Sequence, residues 1–249
     1  MTDSTPAVFL VDALPEGERA ELEGTEARHA VTVRRARPGE VITLTDGEGH
    51  SADCVIEAVH PGKQPRLGLT VGKRRYEPEP ALRVTIVQAL AKGDRGELAV
   101  ELATEAGADD IVPWRAARSV ARWDEGARGA KALAKWRDTA KAAAKQARRA
   151  RFPSVSEPAT TAHIAERVAE ADLALVLDAA GTPITSLDLP ARGRILLIVG
   201  PEGGITREEH DALAEAGATS VRLGLTVLRT STAATVALGA LGALTARWQ

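Results

Sequence analysis

Two glycine-bearing segments hold residues whose types and spacing suit chemistry. The first is Ile195-Leu196-Leu197-Ile198-Val199-Gly200-Pro201-Glu202-Gly203-Gly204, an apolar run that opens into a loop with three glycines and one carboxylate. Glycines let backbone amides and carbonyls approach a ligand closely. The second is Leu223-Gly224-Leu225-Thr226-Val227-Leu228-Arg229-Thr230-Ser231-Thr232-Ala233. It also leaves a strand and enters a helix, which Thr230, Ser231 or Thr232 can cap. In open α/β sheets, ligands bind outside the carboxyl ends of the strands. That rule puts Glu202 and Arg229 at one sheet edge. Each segment alone reads equally well as an ordinary connection, and Arg229 as a salt-bridge or cap contact. No Gly-Lys-Ser/Thr follows Gly204, so a phosphate-cradling P-loop is excluded.

A third glycine motif, Gly47-x-Gly49-x-x-Ala52, matches a loose dinucleotide fingerprint. That fingerprint must open a helix. Here the residues that follow alternate like a strand, and Asp46-Gly47 is a hairpin turn signal.

The elements that position these loops follow from periodicity. The first seventy-odd residues read as β-rich: strands at 41–45, 54–59 and 66–71, one helix over 25–37 stopped by Pro38-Gly39, and Gly/Pro punctuation that suggests a small barrel. Tyr76-Glu77-Pro78-Glu79-Pro80 reads as a linker, so the chain divides into 1–76 and 77–249. From Leu82 strands alternate with helices: strands at 82–90, 110–114, 173–177, 195–199 and 220–223, and helices at 94–106, 130–149, 207–216 and 232–247. Asp94 is the expected cap of the first of these helices, and Thr206 with Glu209 the capping box of the third. Leu133, Trp136, Ala140, Ala143 and Ala147 form the apolar stripe of the long helix. The alternation predicts an α/β fold with a mostly parallel sheet covered on both faces.

Composition bounds the partners. The 249 residues carry a net charge of −2, yet residues 115–151 hold twelve Lys/Arg against Asp124, Glu125 and Asp138, a local +9 that leaves −11 elsewhere. Such asymmetry points to a polyanion partner, although a solvated basic face is the plain alternative. One cysteine, Cys54, and five scattered histidines exclude a disulfide framework and a multi-cysteine zinc site, so no metal is expected. Met1–Val11 does not read as a signal peptide and no run has the apolar length of a membrane span, which gives a cytoplasmic expectation with no membrane partner.

Gly-Pro-Glu-Gly-Gly, followed some twenty residues on by Leu-Gly-x-x-x-Leu-Arg-Thr-x-Thr-Ala, resembles the SPOUT methyltransferases, and within them the RsmE family. The resemblance extends over nearly the whole chain through Arg28-His29, Val33-Arg34-Arg35, Gly39, Asp46-Gly47-x-Gly49, Thr104-Glu105-x-Gly107, Ile111-x-Pro113, Arg118-Ser119 and Gln146-x-x-Arg149. Three positions depart from the family pattern: Ala106 where Leu is usual, Ser231 where Glu is usual, and Lys145 where an acid precedes the helical Gln.

The resemblance implies a C-terminal SPOUT α/β domain with a deep trefoil knot and an N-terminal PUA-like β-barrel. It implies S-adenosylmethionine as cofactor, N3 of a uridine in 16S ribosomal RNA or the small ribosomal subunit as target, and a homodimer. Cofactor contacts would come from Leu177, Val199, Gly200, Pro201, Glu202, Gly203, Leu223, Gly224, Leu225, Leu228, Arg229 and Thr230, with Leu223, Leu225 and Leu228 packing on the base. Arg229 would steady charge on the uracil oxygens, and Glu202 would orient Arg229 or take a proton through water. RNA would run along Arg28, Arg34, Arg35, Lys92, Arg118, Lys141, Lys145, Gln146 and Arg149. Other readings of the same residues are a non-enzymatic RNA-binding protein, a nucleotide-utilising α/β enzyme, and a methyltransferase acting on a ribose 2′-OH or a transfer RNA base.

Overall fold

The structure, a computed structural model, describes residues 5–124 and 126–248. Residues 1–4 of the N-terminal stretch, and Glu125 of the charge count, lie outside the described residues. The chain separates into two compact units. One runs to Glu79 and includes Ala144–Phe152; the other comprises Pro80–Ala143 and Pro153 onward.

In the first unit, strands β1 (Ala7–Leu10) and β2 (Arg19–Leu22) precede helix α1 (Gly24–Arg28), which continues as a π-helical turn over His29–Val33. Strands β3 (Val41–Thr45), β4 (His50–His60) and β5 (Arg66–Tyr76) follow. The sheet order is β1-β3-β4-β5-β2, with only β1 and β3 parallel. Its ladder is open between β1 and β2. Alternate residues Ile42, Leu44, Cys54, Ile56, Leu67 and Leu69 join Phe9, Leu22, Ala27 and Ala30 in one core.

The helix expected over 25–37 ends at Val33. There the Arg34 N–H reaches back five residues to the His29 carbonyl, and Arg35 turns into the left-handed region at φ 55°. The β3–β4 hairpin is tied by Asp46, whose Oδ1 accepts the N–H groups of Glu48 (2.7 Å) and His50 (3.1 Å), with Gly47 at φ 76°. Gly47-x-Gly49 is therefore a turn and not a dinucleotide loop. Burial opposes ionisation of Asp46, but those two amides and the His50 ring outweigh it and hold the carboxyl below its ordinary value. Residues 144–152 return to this unit: the Ala150 carbonyl accepts from Gly49 N (3.0 Å), and Phe152 N donates to the Gly47 carbonyl (2.8 Å).

The second unit contains β6 (Leu82–Ala89), α2 (Arg95–Glu105), β7 (Asp110–Trp114), α3 (Ala127–Gln146, its last turn counted with the first unit), β8 (Ser154–Val155), α4 (Thr161–Glu170), β9 (Leu173–Pro183), β10 (Gly193–Val199), α5 (Arg207–Glu215), β11 (Thr219–Arg222) and α6 (Thr230–Leu244). The sheet is parallel throughout, in the order β11-β9-β10-β6-β7-β8. Period-2 alternation sorts its side chains. Ile195, Leu197, Val199, Val84 and Ile86 pack with residues of α2, α3 and α6, while Leu196, Ile198, Val87 and Ala89 pack with Ile164 and Val168 of α4 and Leu213 of α5. Each fully buried aliphatic side chain of this kind stabilises by about 1.5–3 kcal/mol.

Three local expectations are corrected. Asp94 does not cap α2 with its side chain: it lies in the helical region (φ −82°, ψ −1°) rather than the extended conformation of a capping residue. Ala147 lies beyond the end of α3 and is exposed, and Ala144 is buried in its place. None of Thr230, Ser231 and Thr232 caps α6. The N-cap is Arg229, and the Thr230 hydroxyl is committed elsewhere. The capping box of Thr206 and Glu209 is present as expected.

Candidate active site

The first loop leaves β10 at Val199 and turns at Gly204 (φ 75°), whose N–H bonds to the Pro201 carbonyl at 2.9 Å. A Cβ at Gly200 would stand 2.7 Å from Ile205 Cγ1, so a larger residue there would have to displace the Ile205 side chain. The Arg118 guanidinium donates to the Gly203 carbonyl (3.1 Å). Below the loop, Glu209 is 7% exposed and fully engaged: Oε2 accepts from Thr206 N (3.1 Å), and Oε1 from Ala117 N (2.8 Å) and the Thr161 hydroxyl (3.0 Å). This one buried carboxylate fastens α5 to the 115–119 segment and to α4.

The second loop links β11 to α6. Its backbone is fastened to the first loop by Thr230, whose hydroxyl donates to the Gly200 carbonyl at 2.8 Å. Gln88, at the end of β6, donates from Nε2 to the same hydroxyl oxygen at 3.0 Å.

Together the loops enclose a cleft of about 720 Å³ at the carboxyl ends of the parallel strands, within the size range of small-molecule sites. It is lined by Leu177, Val199, Gly200, Pro201, Glu202, Leu223, Gly224, Leu228, Arg229, Thr230 and Lys92, all singled out from the sequence. Gly203 and Leu225 do not line it, and the Leu225 side chain is 99% exposed. Ser231 is buried and is not a wall residue.

Asp178, His210, Arg95, Arg222 and Val120 line the cleft without having been singled out. His210 Nε2 lies 2.8 Å from Ser220 Oγ and 3.6 Å from Asp178 Oδ2. Lys92, Arg95, Arg222 and Arg229 outnumber Asp178 and Glu202, which favours an anionic ligand at the mouth. Glu202 Oε1 accepts the Lys92 backbone N–H (3.1 Å). Among the described residues no ion pair joins Glu202 to Arg229, so its carboxylate is held by a loop amide.

The basic candidates are spread over both units. Arg28, Arg34, Arg35 and Gln146 are exposed in the first, where Arg149 is partly buried and Lys145 pairs with Glu26 at 2.7 Å. Lys92, Arg118 and Lys141 are exposed in the second. Lys135 and Arg137 of the same basic run pair with Glu97 (2.8 Å) and Glu157 (3.0 Å). Among the described residues there is no group of three or more His, Cys, Asp or Glu that could hold a metal, and no helix long and apolar enough to cross a membrane.

An RNA methyltransferase domain model matches residues 77–242, and an RNA methyltransferase PUA domain model matches residues 22–64. A parallel sheet with a cleft between two glycine-bearing loops, within that match, defines the class as RNA methyltransferase. The chain is 50% identical over 249 residues to the ribosomal RNA small subunit methyltransferase E of Mycobacterium tuberculosis, covering 97% of this chain and 93% of that protein. It is 30% identical to the Bacillus subtilis protein of the same name, covering 92% and 91%. The chain belongs to the ribosomal RNA small subunit methyltransferase E family. Among solved structures, the Neisseria gonorrhoeae family member bound to S-adenosylmethionine is similar with a TM-score of 0.82 at 27% identity, covering 96% of this chain and 98% of that one. A putative methyltransferase from Legionella pneumophila in complex with the same cofactor has a TM-score of 0.85 at 27% identity, covering 98% and 99%.

Proposed function

We propose that this chain transfers the methyl group of S-adenosylmethionine to N3 of a uridine in small-subunit ribosomal RNA. The observation that carries the reading is the cleft itself, which is lined by both glycine-bearing loops and by Arg229. Its residues fit the cofactor. Leu177, Val199, Leu223 and Leu228 give apolar walls for an adenine ring. A Cβ at Gly224 would meet nothing within 4 Å, so packing does not demand that glycine and its bare backbone is left for a ligand. The carboxylate of Asp178 suits a cationic ligand centre.

When bound, the cofactor supplies an electrophilic methyl carbon. The residues of the chain then have three tasks. The two loops hold the reactants in line, and the Thr230–Gly200 bond fixes their spacing. Arg229, exposed at the mouth and without an ion-pair partner among the described residues, would steady the negative charge that develops on the uracil oxygens as N3 loses its proton. Glu202, anchored through Oε1 on Lys92 N, keeps Oε2 for that proton, directly or through water.

RNA runs over the exposed cations, Arg28, Arg34, Arg35, Lys141 and Arg118 among them. The homodimer and the cytoplasmic setting belong to the same reading. Val236 and Leu244, apolar side chains of α6 that are both more than 40% exposed, support a helix face covered by a second copy. The knot of the C-terminal domain rests on the family resemblance of the two loops.

The test is to incubate the purified chain with unmodified small-subunit ribosomal RNA and methyl-labelled cofactor, then analyse the digested nucleosides. Label in N3-methyluridine is expected. Label in a 2′-O-methyl nucleoside, or none alongside calorimetrically silent cofactor titration, would overturn the reading.

A further inference from the structure

Gln88 is a buried polar side chain of the second unit whose amide is only half satisfied. It is 1% exposed at the carboxyl end of β6, the strand beside β10. Its hydrogen bonds can be assigned from the inventory of donors. The Thr230 hydroxyl has one hydrogen, and the Gly200 carbonyl at 2.8 Å can only accept, so that hydrogen goes to Gly200. The atom of Gln88 that lies 3.0 Å from Thr230 Oγ1 must then be the donor, Nε2. The second Nε2 hydrogen serves the Ala89 carbonyl at 3.2 Å. This leaves Oε1 buried with no partner among the described residues. A buried amide with half of its capacity idle is a standing cost that hydrophobic packing alone would remove.

We infer that Gln88 is a positioning residue for the cofactor. Its amide fixes the Thr230 hydroxyl toward the Gly200 carbonyl and so sets the spacing of the two loops that form the cleft. Three elements meet in this chain of bonds: β6 through Gln88, the first turn of α6 through Thr230, and the end of β10 through Gly200. Gly200 and Thr230 both line the cleft; Gln88 does not, so it acts through them. A Thr230 hydroxyl freed from Gln88 can rotate to another acceptor, and the loops then lose the Thr230–Gly200 tie.

The inference rests on the reading of the cleft as an S-adenosylmethionine site. Its test is calorimetric titration of the full chain with that cofactor, together with steady-state rates. Gln88→Met keeps the volume and removes the amide. It is expected to weaken cofactor binding at least tenfold, raising the cofactor KM by a larger factor than it lowers kcat. Thr230→Val should give a similar loss, the double variant a loss no greater than either single one, and Thr230→Ser, which keeps the hydroxyl, parental affinity. An unchanged cofactor Kd with a lowered melting temperature would show a purely structural Gln88 and overturn the inference, as would losses that multiply in the double variant. If the Met variant does not fold, Gln88→Asn, which keeps an amide too short to reach Thr230, carries the same expectation and the same contradiction. Failure of the parent chain itself to bind the cofactor would instead refute the proposed function.

Discussion

Arg229 and Glu202 share the mouth of the cleft but are held differently, and the difference gives separable predictions. Arg229 is exposed and makes no ion pair among the described residues, so Arg229→Ala should leave the melting temperature unchanged. Its kcat should fall by about 10²–10³, the usual effect of deleting a group that stabilises developing negative charge. Full methyl transfer by that variant in a labelled-cofactor assay would remove Arg229 from the mechanism. Glu202→Gln keeps an acceptor for the Lys92 amide and loses only the charge. It should lower kcat with little change in cofactor Kd, read by steady-state kinetics beside calorimetry. At this scale the sequence was informative where residues sit in a motif and silent where they do not. Gly200, Glu202 and Arg229 follow from their loops. Gln88 carries no periodic signal, because a buried polar side chain in a strand is defined by partners distant in the chain; Glu209 was legible as the capping-box partner of Thr206, but its bonds to Ala117 and Thr161 were not. Arg118 was expected on RNA, and in the structure its guanidinium also holds the Gly203 carbonyl.

Elements were legible in proportion to their length and periodicity. β3 and β7 match their expected bounds, and the capping box located α5. α4 was missed although Thr160 caps it and Ile164 and Val168 are one turn apart. Among its ten residues only Ile164 and Val168 are large apolar side chains, so the pattern is sparse. β1, β2 and β8 have two to four residues each and depend on a neighbouring strand for their existence. The hairpin at Asp46 offers an element-scale test. Two amide bonds to its carboxylate put the cost of Asp46→Ala at the low end of about 1.5–3 kcal/mol, given partial exposure. Because the folded state lowers the Asp46 pKa from its ordinary value of 3.8, this stabilisation is present above that value and fades as pH falls through the lowered one. Denaturant titrations of parent and variant should therefore differ at neutral pH and converge in strong acid. A constant difference across that range would show that the carboxylate is not the source.

At the scale of the whole molecule, two features were beyond a linear reading. One is the return of residues 144–152 to the first unit, through backbone bonds to Gly47 and Gly49. The other is the anchoring of the chain end in the second unit by Arg247, which bonds the Leu82 carbonyl and pairs with Asp109 (2.8 Å), both side chains about nine-tenths buried. Removing the guanidinium takes a cation from the buried Asp109 carboxylate, which keeps the Val84 N–H (2.7 Å), so Arg247→Met should destabilise by less than the about 3–5 kcal/mol of an uncompensated buried charge, read by chemical denaturation.

The +9 segment, by contrast, was plain from composition. It predicts that affinity for ribosomal RNA falls linearly in log–log form with salt, by roughly 0.7–0.9 in slope per phosphate neutralised. Affinity independent of salt would leave those cations as a solvated face.

The most direct test of the central claim is to map reverse-transcription stops on small-subunit ribosomal RNA from cells with and without this gene, because a methyl group on N3 of uracil blocks base pairing. One stop present in the parent, absent in the deletion, restored by the parental chain and not by Arg229→Ala is the predicted result. Identical stop patterns in parent and deletion strains would contradict it.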